Sequence, residues 1–268
     1  MKLIRFLDDA GNLCQGIYDH DVPDAARLTE GDWWSKWRIS HERRFISRLL
    51  PPVMPPNILA LGLNYRKHAD ETGMAYPEHP VVFLKSTTSI VGHMDSIVLP
   101  ANGPACVDYE AELAIVIGRQ AKNISPAEAA GVVFGYTCAN DVSARDWQFD
   151  RQAGQWARGK SFDTFCPIGP WIVTPDELSN MHALAIQTKV NGAVLQDSNT
   201  QDMIFDVPAI VSDLSQTMTL LPGTVILTGT PEGVGFTRRP PRFLKDGDIV
   251  CIWIESVGEL INPVVLEA

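Results

Sequence analysis

"VDYEAELAIVIG", residues 107–118, sets Glu110 and Glu112 two positions apart at the head of an otherwise apolar run. In a strand, alternate side chains share a face, so the two carboxylates point the same way with Cα atoms about 6.5–7 Å apart; on a helix they would diverge. Ala111, Leu113, Ile115 and Ile117 take the other face, while Ala114 and Val116 continue the glutamate face as apolar residues. Such a strand is covered on both sides, and a carboxylate buried there without a partner is costly enough to give up its charge.

Around this run the sequence is rich in further strand-like segments. They include "NILALGL", "PVVFLK", "SIVLP", "VVFGYTCA", "WIVTP", "AIQTKVNGAVLQ", "GTVILTG" and "DIVCIWIESVGELINPVV". "VNGA" and "KDGD" are turn signals of the kind that close β-hairpins. Helical stretches are fewer: "SPAEAAGVV" with Ser125 and Glu128 in capping-box relation, "SARDWQFDRQ" with Ser143 and Asp146 in the same relation, and "DMIFDVPAIVSDLSQ" despite Pro208. Few helices between the strands argue against a doubly wound sheet and for a β-rich α+β fold. "LLPPVMPPNILALG" places four prolines before an apolar run, so a linker near residue 56 divides a small N-terminal domain, 1–55, from a main domain, 56–268.

The chain has 268 residues, 45% of them hydrophobic, enough for a substantial core. Its net charge of −10 and the lack of a basic block exclude nucleic acid as an expected partner. No apolar run reaches the roughly 20 residues of a membrane-spanning helix, and "MKLIRFLDDAG" turns acidic too early for a signal peptide, so a soluble, cytoplasmic protein is expected. Five scattered cysteines without C-x-x-C spacing suit a reducing compartment and exclude a thiolate zinc site.

Two like charges side by side stay ionised if a cation sits between them, and oxygen ligands favour magnesium, manganese or calcium. Asp141 in "GYTCANDVSARD", where an apolar strand ends, is the expected third ligand. Acids at a strand end also fit a solvated edge strand followed by a helix-capping aspartate, and spacing alone leaves both readings open. Three carboxylates around a divalent ion leave a negative charge that an anionic substrate must overcome, so nearby cations are expected: Arg145 beside Gln148, Lys85 and Lys160. In "NYRKHADETG" a helical turn would set His68 and Glu71 on one face, the carboxylate orienting the imidazole as a base. The loop that follows, within residues 64–80, could form a lid.

"GQWARGKS", residues 154–161, matches the phosphate-binding loop pattern G-x-x-x-x-G-K-[ST]. A working loop of this kind follows a buried strand and opens a helix. Here a helix-like stretch precedes it and Pro167, Gly169 and Pro170 follow, so the context for a nucleotide site is missing.

Taken in order, "ILALGLNYRKHADE", "VVFLKSTTSIVG", "VDYEAELAIVIG", "GYTCANDVSARDWQ", "GKSFDTFCPIGPW", "VNGAVLQDSNTQDMIF", "LLPGTVILTGTPEGVG" and "LKDGDIVCIWIESVGELINPV" resemble the successive motifs of the fumarylacetoacetate hydrolase family from about residue 56 to the end. The resemblance implies a mixed β-sandwich roll, usually dimeric, holding magnesium or manganese. It implies metal ligands at Glu110, Glu112 and Asp141, a catalytic dyad at His68 and Glu71, and a catalytic lysine at Lys160. It implies substrate or scaffold contacts at Arg145 and Gln148, and brings Thr230 of "TGTPEGVG" towards substrate.

On that resemblance the expected reaction is hydrolytic carbon–carbon cleavage of a small 2,4-dioxo acid such as an acylpyruvate, through a metal-held enolate. The same chemistry supports two alternatives, decarboxylation of oxaloacetate-like acids and isomerisation or tautomerisation of hydroxydienoates. A nucleotide-binding protein built on residues 154–161 and a non-catalytic binding module are the rivals from other classes.

Overall fold

The structure, a computed structural model, describes residues 1–101, 105–151 and 153–267. Strands dominate it, as the alternating segments predict. In spatial order the large sheet runs Trp37–Phe45, Ala25–Gly31, Leu13–Tyr18, Lys2–Leu7, Cys166–Val173, Val133–Asn140, Ala111–Ile117, Val225–Leu227, Ile58–Gly62 and Val81–Lys85. A second sheet orders Ala193–Asn199, Ala185–Val190, Ile249–Ile254, Gly258–Leu266 and Ile97–Leu99.

Ala111–Ile117 is the hinge of this arrangement. Its side chains divide by parity, as a strand's must: Leu113, Ile115 and Ile117 join the core shared with the second sheet, while Ala114 and Val116 join the core on the other side. Every residue of the strand is buried. A fully buried Leu or Ile contributes about 1.5–3 kcal/mol, the same order as the several kcal/mol that each buried ion costs. The apolar half of the strand can therefore hold its acidic head in place.

Topology brings several chain ends to that head. Val225–Leu227 and Ile58–Gly62 are parallel to each other, and Ala111–Ile117 is antiparallel both to Val225–Leu227 and to Val133–Asn140. The exits of three strands therefore meet the entrance of the fourth, delivering residues 63–68, 141 and 228–230 beside Glu110 and Glu112. At the sheet's edge, Val81–Lys85 leaves Val82 and Leu84 exposed but buries Lys85.

Several local expectations hold. Asn191 and Gly192 take the left-handed conformation (φ 52° and 81°) and join Ala185–Val190 to Ala193–Asn199. Ser125 and Glu128 form the capping box of the 3₁₀ turn Pro126–Gly131. Pro208 falls in the first turn of Val207–Thr217, where its missing N–H costs nothing, and Asp206 caps that helix.

Others need correction. The "KDGD" turn opens Ile249–Ile254 rather than joining two strands. The helix expected from Ser143 runs only over Arg145–Phe149, because Ser143 and Ala144 pair with Val107 and Asp108; Ser143 Oγ donates to the Asp141 carbonyl instead of capping. Gln152, the end of the expected stretch, lies outside the described residues. The first 50 residues, expected to belong to a small separate domain, form five strands, and the first pairs with the main sheet at Lys2–Val173 and Leu3–Ile172. A division at residue 56 remains a proposal about folding units. No helix among the described residues is long and apolar enough to cross a membrane.

Candidate active site

Glu110, Glu112 and Asp141 converge: each offers a carboxylate oxygen, and the three atoms lie within 4.8 Å of one another. Glu110 stands just before its strand and is tied to the exit of Val133–Asn140 from both directions. Its amide donates to Asn140 Oδ1 (3.0 Å) and its carbonyl accepts from the Asp141 amide (2.9 Å). Glu112 Oε2 accepts from the Gly229 amide at 2.6 Å. Gly229 takes φ +95°, and a Cβ there would sit 2.7 Å from Asn64 Cβ, so only glycine lets that turn present its N–H to the carboxylate.

Three cations press against the acids. Lys160 Nζ bridges Glu110 Oε2 and Asp141 Oδ2, both at 2.7 Å. Arg145 reaches Glu110 Oε1 through Nη2 (2.6 Å), Asp108 Oδ2 through Nε (2.9 Å) and Gln148 Oε1 through Nη1 (2.9 Å). Lys85, expected among groups that meet substrate, ends instead behind them: its Nζ donates to Asp141 Oδ1 (2.6 Å) and to the Lys160 carbonyl, and it does not line the cavity.

The two glutamates titrate apart although they are neighbours. Burial would raise Glu110, but the charges of Lys160 and Arg145 outweigh it and bring the carboxyl down to about 2. Glu112 is pushed well above the usual carboxylate range by burial and by the charges of Asp141 and Glu110. Its Oε1 is buried without a hydrogen-bond partner. A buried orphan oxygen in a three-oxygen cage fits a hard divalent ion, which would supply the missing partner and favour the ionised form.

The dyad stands at the same cavity. Tyr65 precedes the helix Arg66–Thr72, and Gly73 closes it in the left-handed conformation. That turn sets His68 Nδ1 3.4 Å from Glu71 Oε2, longer than an ordinary hydrogen bond, as is common before substrate binds. Glu71 also accepts from the Gly233 amide (3.1 Å) and from Thr237 Oγ1 (2.7 Å). Burial would raise its carboxyl, but the bonds from His68, Thr237 and Gly233 bring it below the ordinary value.

A cavity of about 40 Å³ is lined by His68, Glu110, Arg145, Gln148, Lys160 and Thr230 on its polar side. Thr230 Oγ1 accepts from Gln196 Nε2 (2.8 Å). Phe83, Phe149, Trp156 and Phe236 line the remainder.

Sequence reasoning missed two positioning residues. Asp108, fully buried, accepts from the amides of Tyr109 (2.9 Å), Gly235 (2.7 Å) and Phe236 (3.0 Å) as well as from Arg145. It was legible, since it shares the parity of Glu110 and Glu112. Gln196 accepts from the Ala111 amide (2.9 Å) and donates to Thr230, and no local pattern marks it. Residues 154–161, which match the phosphate-loop pattern, follow the helix Arg145–Phe149 and open no helix, and Lys160 turns to the carboxylates.

Residues 57–265 match the family described as Fumarylacetoacetate (FAA) hydrolase C-terminal. An "Oxaloacetate tautomerase fahd2, mitochondrial" from Xenopus laevis is 48% identical over 97% of this chain and 84% of its own. Among solved structures, a 5-carboxymethyl-2-hydroxymuconate delta-isomerase from Mycobacterium smegmatis is 41% identical with a TM-score of 0.88, covering all of both chains. A 2-hydroxyhepta-2,4-diene-1,7-dioate isomerase from Mycobacterium marinum is 42% identical with a TM-score of 0.86, over 100% of this chain and 99% of that one.

Proposed function

This chain belongs to the fumarylacetoacetate hydrolase family, and on that premise we propose that it is a divalent-metal-dependent tautomerase, interconverting keto and enol forms of small 2-oxo acids such as oxaloacetate. The observation that carries the choice of tautomerisation is the near full-length likeness to an oxaloacetate tautomerase. Both isomerase structures support it, because isomerisation of a hydroxydienoate is also proton transfer through an enol.

Glu110, Glu112 and Asp141 would hold the ion, which when bound would polarise the adjacent oxygens of a 2-oxo acid as a Lewis acid. The proton chemistry falls to the chain. With His68 Nδ1 turned to Glu71, Nε2 is the atom left for the cavity. It removes a proton from C3 of the keto acid; the C–H electron pair becomes the C2–C3 double bond, and the carbonyl pair moves onto the 2-oxygen. The proton is then delivered to that oxygen, giving the enol, and the reverse path restores the ketone. Lys160 places a positive charge beside the reacting oxygen, and burial keeps its attraction strong.

Hydrolysis of acylpyruvates is the second reading, favoured by the dyad, which could equally activate a water. The two separate in one experiment. Enol-oxaloacetate mixed with protein and magnesium or manganese should lose its ultraviolet absorbance faster than with buffer and metal, and His68→Ala should slow this by about 10²–10⁴-fold. An uncatalysed decay rate with either ion would overturn the proposal. Release of a second carboxylic acid from an acylpyruvate would favour hydrolysis, and carbon dioxide from oxaloacetate would favour decarboxylation.

A further inference from the structure

Ala193–Asn199 is an edge strand of the second sheet, and six of its seven residues are exposed or half-buried. The one buried residue is polar: Gln196, fully enclosed. An unmatched amide in that place would cost more than an apolar side chain, yet every hydrogen-bonding position of this one is used. Its Oε1 accepts from the Ala111 amide (2.9 Å) and from Thr188 Oγ1 (2.6 Å). Its Nε2 donates to Thr230 Oγ1 (2.8 Å) and to the Pro231 carbonyl (2.9 Å).

These partners leave the amide one orientation. The Ala111 N–H can only donate and the Pro231 C=O can only accept, so Oε1 and Nε2 cannot exchange places. Thr230 Oγ1 is therefore the acceptor in its bond to Gln196. Its own proton has no acceptor among the described residues, and Thr230 lines the cavity with His68, Glu110, Arg145 and Lys160. A threonine hydroxyl ordinarily rotates to donate or accept as its neighbours require; this one keeps its proton for the cavity.

The same amide reaches the acidic head of the large sheet. Val225–Leu227 pairs only with Ala114–Val116, so the Ala111 N–H, between Glu110 and Glu112, lies beyond the end of that strand and meets Gln196 instead. One side chain thus ties the carboxylate strand to the cavity hydroxyl.

We propose that Gln196 is a positioning residue that holds Thr230 as an obligate donor, and that the hydroxyl receives an acceptor oxygen of the bound acid, a carboxylate above all. Charge-assisted hydrogen bonds are about twice as strong as neutral ones, so the carboxylate of a 2-oxo acid gains most from such a donor. The inference rests on the tautomerase reading for its ligand and adds to it the residue that sets the polarity of the site.

Calorimetric binding of oxalate to the magnesium- or manganese-loaded protein tests it, in a cycle of Thr230→Val, Gln196→Met and the two combined, with Thr230→Ser beside them. Valine keeps the shape of threonine without the hydroxyl, and serine returns the hydroxyl. Thr230→Val should weaken oxalate about tenfold and Thr230→Ser by less than about threefold, with metal affinity unaltered in both. Gln196→Met alone should also weaken oxalate, but should change it by less than about twofold once residue 230 is valine, because the two act through one hydroxyl. Losses that multiply in the combined variant would show that Gln196 only packs its strand, and would overturn the proposal, as would unchanged oxalate affinity in Thr230→Val. Should Gln196→Met not fold, Gln196→Glu keeps the length but offers an acceptor in place of the donating amide. The Thr230 proton then turns away from the cavity, and oxalate affinity should fall to the Thr230→Val level; unchanged affinity would overturn the proposal. Binding and turnover separate the two readings. Oxalate affinity that follows the hydroxyl, with enol-oxaloacetate left at its uncatalysed rate, keeps the role of Gln196 and overturns the tautomerase; catalysed decay with oxalate indifferent to Thr230→Val does the reverse.

Discussion

Two ion pairs of equal length mark opposite regions of the molecule. Arg38 and Glu30, on neighbouring strands of the N-terminal meander, meet at 2.6 Å with side chains 79% and 49% exposed. Lys85 and Asp141 meet at the same 2.6 Å with both side chains fully buried. In water the first pair exchanges one set of good contacts for another and contributes little. The second has given up its hydration, so each partner depends on the other, and removing one leaves a bare charge in the core. Distance therefore says nothing about importance here; burial decides it.

The largest effect should come from breaking the buried set. Asp141→Ala leaves Lys85 without its carboxylate and Lys160 with Glu110 alone, and urea denaturation of the metal-free protein should show a loss of about 3–5 kcal/mol. A loss as small as that of a surface pair would break the contrast.

Next comes a test that separates holding an ion from holding the fold. Glu112 receives one backbone hydrogen bond and has an orphan oxygen, so Glu112→Gln should leave the metal-free protein within about 1 kcal/mol of the original. The rise in melting temperature on adding magnesium or manganese, worth about 2.7 kcal/mol at 100 times Kd, should disappear. Severe destabilisation without metal would show that this acid serves the core instead.

Smaller still is the response of Glu71, which lies between the two regimes. Its folded pKa is depressed, so the stability it lends the turn at Gly233 is complete above the ordinary value of 4.5 and is lost as pH falls through the lower folded value. The Gly233 amide resonance should titrate with a midpoint below 4.5; a midpoint above it would contradict the depressed value. Smallest of all, Arg38→Ala should move the denaturation midpoint by no more than experimental error, at low or high salt.

The same contrast explains what could be read from sequence. Ala111–Ile117 announced itself because burial on both faces forces a parity pattern, and the acids stood out against it. Asp141 followed from its place at a strand exit, while the role of Lys160 came from likeness to a family, since its own surroundings mimic a phosphate loop. The meander was illegible for the opposite reason. "WRISHERRF" (Trp37–Phe45) forms a strand whose residues are mostly exposed, so neither parity is constrained to be apolar. The aromatic wall was equally hidden, because Phe83, Trp156 and Phe236 stand far apart in the sequence and come together only around the cavity.

One latch has a reach beyond chemistry. Lys85 ties the outermost strand of the large sheet to Asp141, while Val82 and Leu84 on that strand look outward. Were the acid lost, the strand would keep its ladder to Ile58–Gly62 but lose its anchor, and a frayed greasy edge is a template for other chains. Injury to the innermost carboxylate would then be noticed first as turbidity in the tube, before anyone assayed a reaction.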